Sequence, residues 1–552
     1  MPGRRDQRIR YRERRARSAV RAEASHAVFP ETLWNHDNRK VSDMSTSHIL
    51  SSSAEDTTAR PDVSFQDEYG HYIDGEWVSG SSGETITLSN PATGAHLARI
   101  QSGDGKDAVR AVDAASGAFP QWSRTSARTR QEILAEMSRR LKADVEHYAQ
   151  LETLNNGKII MESRHHDVAG AAAQFELFAG APSRLHGKTI DGPSNIGVIH
   201  REPLGVCALV TPWNIPLVSM GSKIAPALAA GNTVVLKPSE IVCLSVMEFF
   251  TRISDLLPPG VVNIVTGVGS AIGESLVTDP RVRKVSLTGS RATASKLMRY
   301  ASVNIIPQTM ELGGKSASIV CEDADITAAA EGAALSMIFG KGEVCLAGNR
   351  LLVHQKVYEE FIETLQRMLS RVKIGNPLSE DTQLGALASQ AQMDKVMGYL
   401  NLGVEEGATV LRGGAQARGD GLDEGFFVEP TLFSDVRDSM RIAQEEIFGP
   451  VATVQTWTDE AEVIRQANNS VYGLGGAVWT RDLSRAHRLA RSLETGTVWI
   501  NRYYGTVDNM PIGGYKQSGF GREFSDEVLD HYTQTKTVII DLDGSPRGMF
   551  GT

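Results

Sequence analysis

Between residues 204 and 288 the apolar residues fall in short unbroken runs, with helical spacing between the runs. Residues 204–210 (LGVCALV), 232–237 (NTVVLK), 260–266 (GVVNIVT) and 284–288 (KVSLT) read as strands covered on both faces. Residues 217–230 read as an Ala-rich helix closed by Gly231, with Pro226 placed to kink it. Residues 243–257 read as a second helix, ended by Pro258 and Pro259. Strands that alternate with helices predict a parallel, doubly wound sheet. A second alternation starts near Ser316. Its expected strands are 316–321, 350–354, 451–457, 475–480 and 497–501, with helices near 325–339, 355–372, 458–469 and 482–494. It predicts a second α/β domain. Upstream, residues 105–117 and 125–150 carry helical spacing. Asp74-Gly75, between short apolar segments of residues 71–79, signals a type I′ hairpin. Residues 532–540 (YTQTKTVII) alternate like an edge strand.

The first 60 residues break this pattern. Residues 1–25 hold nine arginines against three acids, a formal +6, and polar residues follow to about Pro61. Such a stretch cannot bury enough apolar surface to order itself, so residues 1–60 are expected to be a disordered extension. A true start at Met44, and a targeting or nucleic-acid arm, are the competing readings. No apolar segment follows Arg4-Arg5, which argues against twin-arginine export. The remainder of the 552 residues supports large cores, with 41% hydrophobic and 22% charged residues overall. The net charge of -9 argues against a nucleic-acid protein as a whole. Mean hydropathy is -0.21, and no apolar run reaches about 18 residues, so no membrane span is expected. The four cysteines form no CxxC pair, so neither a disulfide scaffold nor a metal site is expected. The chain reads as a soluble cytoplasmic protein.

Candidate chemistry sits where strands end. Thr211, Pro212, Trp213 and Asn214 follow the first apolar strand, at the edge where doubly wound sheets place ligands. Lys237, Ser239 and Glu240 follow the second, and an acid there can accept the ribose hydroxyls of an adenine nucleotide. Gly267, Gly269 and Gly273 follow the third strand, and Gly289-Ser290 the fourth. Such strand–turn–helix junctions bring backbone N–H groups to a pyrophosphate. No GxGxxG is present, and each junction alone has an ordinary reading as a turn. Four on one sheet edge favour a dinucleotide. In MELGGKS (residues 310–316), Glu311 beside two glycines reads as an accessible, mobile carboxylate, which suits a general base. The competing reading is a solvated loop glutamate. In GKGEVCLAG (residues 340–348), Cys345 lies in a Gly-rich loop that could expose a nucleophilic thiol. Cys207, Cys243 and Cys321, on or beside expected elements, read as buried and inert.

MELGGKS and GEVCLAGNR resemble the two signature segments of the NAD(P)-dependent aldehyde dehydrogenase superfamily. TPWNIPL, LKPSE, NIVTGVG, LTGS, EEIFGPV, NNSVYGL, GTVWIN and PIGGYKQSGFGRE appear in the family's order, over about residues 70–540. The resemblance implies two doubly wound α/β domains, a Rossmann-like cofactor domain (64–184 and 204–312) and a catalytic domain (313–520). It also implies a small β oligomerisation flap (185–203 and 530–545) that yields homodimers or homotetramers. Cys345 is then the nucleophile that attacks the aldehyde, and Asn214 the oxyanion donor together with the Cys345 backbone N–H. Glu311 is the base that activates the hydrolytic water, and Lys223 with Glu523 a proton-relay pair. Lys237 and Glu240 contact the adenosine ribose, and Ser239 is a further cofactor-binding residue. Glu446 and Phe448 hold the nicotinamide ribose and ring. Thr211, Pro212, Trp213, Gly269, Gly289, Ser290 and Leu312 lie near the cofactor, and Asn501 lies at the back of the active site. NAD is expected over NADP, because the Glu240 carboxylate repels a 2′-phosphate. Ile215, Phe339, Val344 and Leu346 would line the substrate tunnel, so a neutral apolar aldehyde is expected, with the 502–510 loop able to change that. Arg291 and Ala294 depart from the family's usual Thr and Gly after the fourth strand, and Ile512 from its usual Phe. Val344 and Leu346 flank the nucleophile, so no vicinal disulfide can form there. Two other readings compete: a CoA-acylating dehydrogenase or acyl reductase, whose members lack the base, and a silent relative. Glu311 argues against the former, and the set Cys345, Asn214 and Glu311 against the latter.

Overall fold

Four apolar runs that no single face could cover pair side by side in the computed structural model, which describes residues 63–505, 507–544 and 549. The expected N-terminal extension therefore lies outside the described residues. Strands Val206–Val210, Thr233–Lys237, Val262–Ile264 and Val282–Thr288 are all parallel. They form the centre of an eight-stranded sheet. Val206–Val210 lies between Thr233–Lys237 and Val282–Thr288, so the strand order reverses there. In open α/β sheets ligands bind outside the carboxyl ends of the strands at such a reversal. Gln308–Glu311 continues the sheet in parallel beyond Val282–Thr288. Gly519–Phe520, which the sequence groups with the second α/β unit, closes this edge of the first sheet in antiparallel register with Met310 and Glu311. The other edge is the hairpin His71–Ile73 and Glu76–Val78. Asp74 and Gly75 take φ of 55° and 83° in its turn, as a type I′ turn demands.

The second sheet has seven strands in the order Thr409–Arg412, Thr431–Ser434, Val451–Trp457, Arg350–His354, Ala317–Val320, Gly475–Trp479 and Thr497–Ile500. All pairings are parallel except the first. Ala317–Val320, the first of these strands in the chain, lies inside the sheet, with later strands added on both sides.

Two local expectations need correction. The helical spacing of residues 125–150 is two helices, Ala127–Ala143 and Val145–Asn156. Asp144 breaks them with φ -134° and ψ 42°, and its carboxylate accepts from Arg252 Nη1 at 2.6 Å. The expected edge strand is Thr533–Asp541, paired antiparallel with Asn195–Pro203, which in turn pairs with Lys188–Asp191. Its alternation covers no face in the single chain: every residue after Thr533 is exposed.

Asn232 ties this appendage to the first sheet. Its Oδ1 accepts from Leu204 N at 2.7 Å and Gly205 N at 3.0 Å. Its Nδ2 donates to Ala227 O at 3.2 Å and Tyr532 O at 2.8 Å. One fully buried amide thus fixes the start of the central strand, the end of the helix Pro216–Ala229 and the start of the C-terminal strand. Asn232→Ala strands several buried polar groups at about 1–3 kcal/mol each. Chemical denaturation should show a loss of about 2–4 kcal/mol, and an unchanged midpoint would contradict this account.

Candidate active site

The turns at the carboxyl edge of the first sheet enclose a groove of about 420 Å³. Thr211, Pro212, Trp213, Lys237, Ser239, Glu240, Gly269, Gly289 and Ser290 all line it. Two helices, Gly269–Thr278 and Arg291–Ser302, begin at its wall, so their unpaired N–H groups face it. Ser290 caps the second, accepting from Thr293 N at 3.2 Å. Beyond its chain neighbours and its own helix, nothing lies within 4 Å of where a Cβ on Gly269 would stand, so the glycine faces open space. These walls fit a dinucleotide. Lys237 Nζ lies 2.7 Å from Glu240 Oε2, at the groove wall. Arg291 points elsewhere: it donates to Gln517 Oε1 at 2.6 Å and lies over the Tyr472 ring.

Leu312, Glu446 and Phe448 are not part of this wall. Leu312 N donates to Ser518 O at 3.0 Å. Glu446 Oε1 accepts from Gly314 N at 2.9 Å. Phe448 meets Trp213 edge to face, with ring centroids 5.3 Å apart. Gly313 and Gly314 let these parts approach. A Cβ on Gly313 would stand 2.3 Å from Glu446 Oε2, and one on Gly314 2.3 Å from the Cys345 carbonyl oxygen.

A second cavity, of about 460 Å³, opens beside the groove. Cys345, Asn214, Glu311 and Glu523 line it, and Thr288 lines both spaces. Cys345 lies in the loop between helix Ile326–Ile338 and strand Arg350–His354. Burial, with the Glu446 and Glu311 carboxylates, pushes its thiol up to about 12. Glu311 is not the accessible loop carboxylate expected from its glycines. It ends a strand, is 7% exposed, and its Oε1 has no hydrogen-bond partner. Burial, and then the Glu523 carboxylate, raise its pKa well above the carboxylate range. Lys223 is buried beneath, 2.5 Å from Glu523 Oε1 and 3.1 Å from Ser286 Oγ. Cys207, Cys243 and Cys321 are free and buried. Ile215, Phe339, Val344 and Leu346 line the cavity, as do Tyr504, Val507 and Met510 of the 502–510 loop. Asn501 does not: its amide pairs with both backbone groups of Thr480.

The sequence profile of the Aldehyde dehydrogenase family matches residues 77–538. An acetaldehyde dehydrogenase of Pseudomonas aeruginosa is 42% identical over 496 residues, covering 88% of this chain and 98% of that protein. The chain belongs to the aldehyde dehydrogenase family. An aldehyde dehydrogenase of Deinococcus radiodurans is 41% identical, covering 88% of this chain and 96% of the relative. Among solved structures, a betaine aldehyde dehydrogenase of Staphylococcus aureus in complex with NAD+, its cysteine chemically modified, superposes with a TM-score of 0.86. It is 37% identical and covers 88% of this chain and 99% of that one. The activity is that of the family, the NAD(P)-dependent oxidation of an aldehyde through a cysteine. No helix among the described residues is long and apolar enough to cross a membrane.

Sequence reasoning missed two parts of this dehydrogenase. The helix Ala169–Ala179 and the π-helical turn before it supply His166, Gln174 and Leu177 to the cavity wall. The only signal was an apolar stretch that reads as plain core. Behind the wall lies a set of buried charged residues that includes Glu162, whose Oε1 accepts from Gly340 N at 3.0 Å. Burial pushes this carboxyl up to about 8; nearby Asp167 adds to the rise, while the Gly340 N–H, Lys158 and Lys341 oppose it. The native state therefore keeps a proton that the unfolded chain gives up. The stability this group confers falls as pH rises from the ordinary carboxylate pKa to about 8, then levels off. Glu162→Gln retains an oxygen for Gly340 N but cannot ionise. Its melting temperature relative to the wild type should rise between about pH 5 and about pH 9. A difference independent of pH would contradict the assignment.

Proposed function

We propose that the enzyme oxidises a neutral, apolar aldehyde to the carboxylic acid by the hydrolytic route, with NAD preferred. The observation that carries this reading is the shared cavity of Cys345, Asn214 and Glu311, with a Glu311 oxygen left unpartnered inside it. Cys345, once deprotonated, attacks the carbonyl carbon. The resulting oxyanion takes hydrogen bonds from the Asn214 amide and the Cys345 backbone N–H; losing such a donor typically costs ~10²–10³ in rate. Thr211, Pro212, Trp213, Gly269, Gly289 and Ser290 would hold the cofactor, with Lys237, Ser239 and Glu240 at the adenosine ribose and Leu312, Glu446 and Phe448 at the nicotinamide end. A nicotinamide bound there would supply the acceptor for the hydride that leaves the carbon bonded to Cys345. Cys345 is left as a thioester. Glu311 then takes a proton from water, the hydroxide attacks the acyl carbon, the C–S bond breaks, and the thiolate returns. A carboxyl with a raised pKa is a strong base once it has lost its proton. The buried Lys223–Glu523 pair relays that proton outward.

The apolar wall supports the substrate class. Of its charged members, Lys142 pairs with Glu176 and Glu523 with the buried Lys223, and burial drives Glu311 toward its neutral form, which leaves Asp508 of the 502–510 loop. The open strand Thr533–Asp541, with Ile539 71% exposed, supports assembly into dimers or tetramers through a neighbour's sheet. Four free thiols, one of them the nucleophile, suit the reducing cytoplasm. We divide the chain into a cofactor domain (64–184 and 204–312), a catalytic domain (313–520) and oligomerisation strands (185–203 and 530–545).

Glu311→Gln tests the hydrolytic step. With hydride transfer still intact, a burst of about one NADH per site should precede steady turnover slowed by ~10²–10⁴. Turnover at the wild-type rate would remove Glu311 as the base. Cofactor choice is read from kcat/KM with NAD and NADP. Lys237 is already engaged by Glu240, so a 2′-phosphate meets a carboxylate before it meets a cation. At ~4 Å and an effective dielectric of ~20, one such like-charge pair costs about 4 kcal/mol before relaxation. NAD should be preferred, and Glu240→Gln should narrow the gap by improving NADP. An NADP preference in the wild type would overturn this.

A further inference from the structure

Behind the wall that carries Asn214 and Cys345, four acids and two lysines are packed out of water. Glu152, Glu162, Asp167 and Glu343, with Lys158 and Lys341, are each at most 4% exposed. A buried charge is costly unless its partners are complete. Lys158 Nζ donates to Asn214 O at 2.7 Å, Asp167 Oδ1 at 2.9 Å and Glu152 Oε1 at 3.4 Å. Lys341 Nζ donates to Asn156 O at 2.8 Å and Asn156 Oδ1 at 2.5 Å, and lies 2.7 Å from Glu343 Oε2. Lys158 thus has an acceptor for each of its three N–H groups, and Lys341 has two acceptors together with its ion-pair partner Glu343.

These contacts converge on one amide. Asn156 Nδ2 donates to Trp213 O at 2.8 Å and to Asn214 O at 3.4 Å. Glu343 Oε1 accepts from Ala388 N at 3.1 Å, and the Glu343 carbonyl accepts from Asn214 Nδ2 at 2.8 Å. Lys158 therefore holds the backbone of Asn214, while Lys341 holds the residue that anchors its side chain. An amide NH₂ has two N–H groups. With one fixed on Glu343 O, rotation of the amide is stopped and the second N–H keeps a single direction. The local backbone fits this role. Lys341 takes φ 62° between Gly340 at 55° and Gly342 at 69°, a conformation that a non-glycine residue holds only when its surroundings impose it. Lys158 follows the helix end closed by Gly157 at φ 86°. Asp167 sits on the π-helical turn Ser163–Val168, a rare form that is frequent at functional sites. Neither lysine lines the cavity or the groove.

We infer that Lys158 and Lys341 are positioning residues of the oxyanion hole, which aim the second N–H of Asn214 before the aldehyde arrives and act on the reaction only through it. This rests on the role proposed for Asn214. Donors fixed ahead of the reaction need no reorganisation when charge develops, which is where their catalytic effect lies.

The test is a double-mutant cycle on kcat at saturating aldehyde and NAD. Lys158→Met should lower kcat by about 10-fold or more, with NAD affinity unchanged. In an Asn214→Ala background the same substitution should cost less than about 2-fold, because the group it aims is gone. Equal losses in both backgrounds, or no loss in Lys158→Met alone, overturn the inference. Should Lys158→Met fail to fold, Glu152→Gln/Lys158→Met takes its place in the cycle with the same two outcomes. Lys341→Met/Glu343→Gln is the parallel cycle for the second lysine. Wild-type kcat in Asn214→Ala alone would refute the role of Asn214, and the inference with it. A slow Asn214→Ala without coupling refutes the inference only.

Discussion

The two sheets meet at a backbone contact that leaves no room for side chains. Glu311 ends a strand of the first sheet, and Ala317–Val320 opens the second only a few residues later. In the link, Gly313 lies against the Glu446 carboxylate and Gly314 against the Cys345 carbonyl. Ser518 stitches the same link from the far side: its carbonyl accepts from Leu312 N, and its hydroxyl donates to Gly313 O. Three distant segments, carrying Glu311, Cys345 and Glu446, are thereby held together. A methyl group at either glycine would push them apart, and a displacement of that size is what oriented catalysis tolerates least.

The same close packing sets the electrostatics. Cys345 and Glu311 are both driven toward their neutral forms, chiefly by loss of water. A thiol and a carboxylic acid at rest spare the cavity two uncompensated charges. Low local polarisability then strengthens whatever polar contact the reacting atoms make. Lys223 and Glu523, both almost completely buried, compensate each other directly. Burial thus biases both Cys345 and Glu311 toward their neutral forms before substrate enters.

Much of this was legible in the sequence because parallel strands announce their ends. Apolar runs followed by turn residues located the groove, and nine of the residues expected near the cofactor line it. Cys345 stood out because its loop is rich in glycine. The glycines beside Glu311 misled, since they read as mobility where they serve close approach. Lys158, Lys341, Glu162 and Glu343 were invisible for a different reason. A charged residue in a helical or loop pattern reads as surface, and only tertiary packing turns it inward. The exposed face of Thr533–Asp541 was equally hidden, because alternation forecasts a covered face and does not say which chain covers it.

The groove and the cavity share only Thr288 among the residues that line them. The groove is drawn from the turns of the first sheet. The cavity wall comes largely from the helices Ala169–Ala179 and Pro216–Ala229, the loop around Cys345 and the segment after residue 501. Two nearly disjoint sets of codons therefore encode the two binding spaces. On the assignment proposed above, substitutions drifting through the cavity wall alter the aldehyde space and leave the residues of the dinucleotide groove untouched.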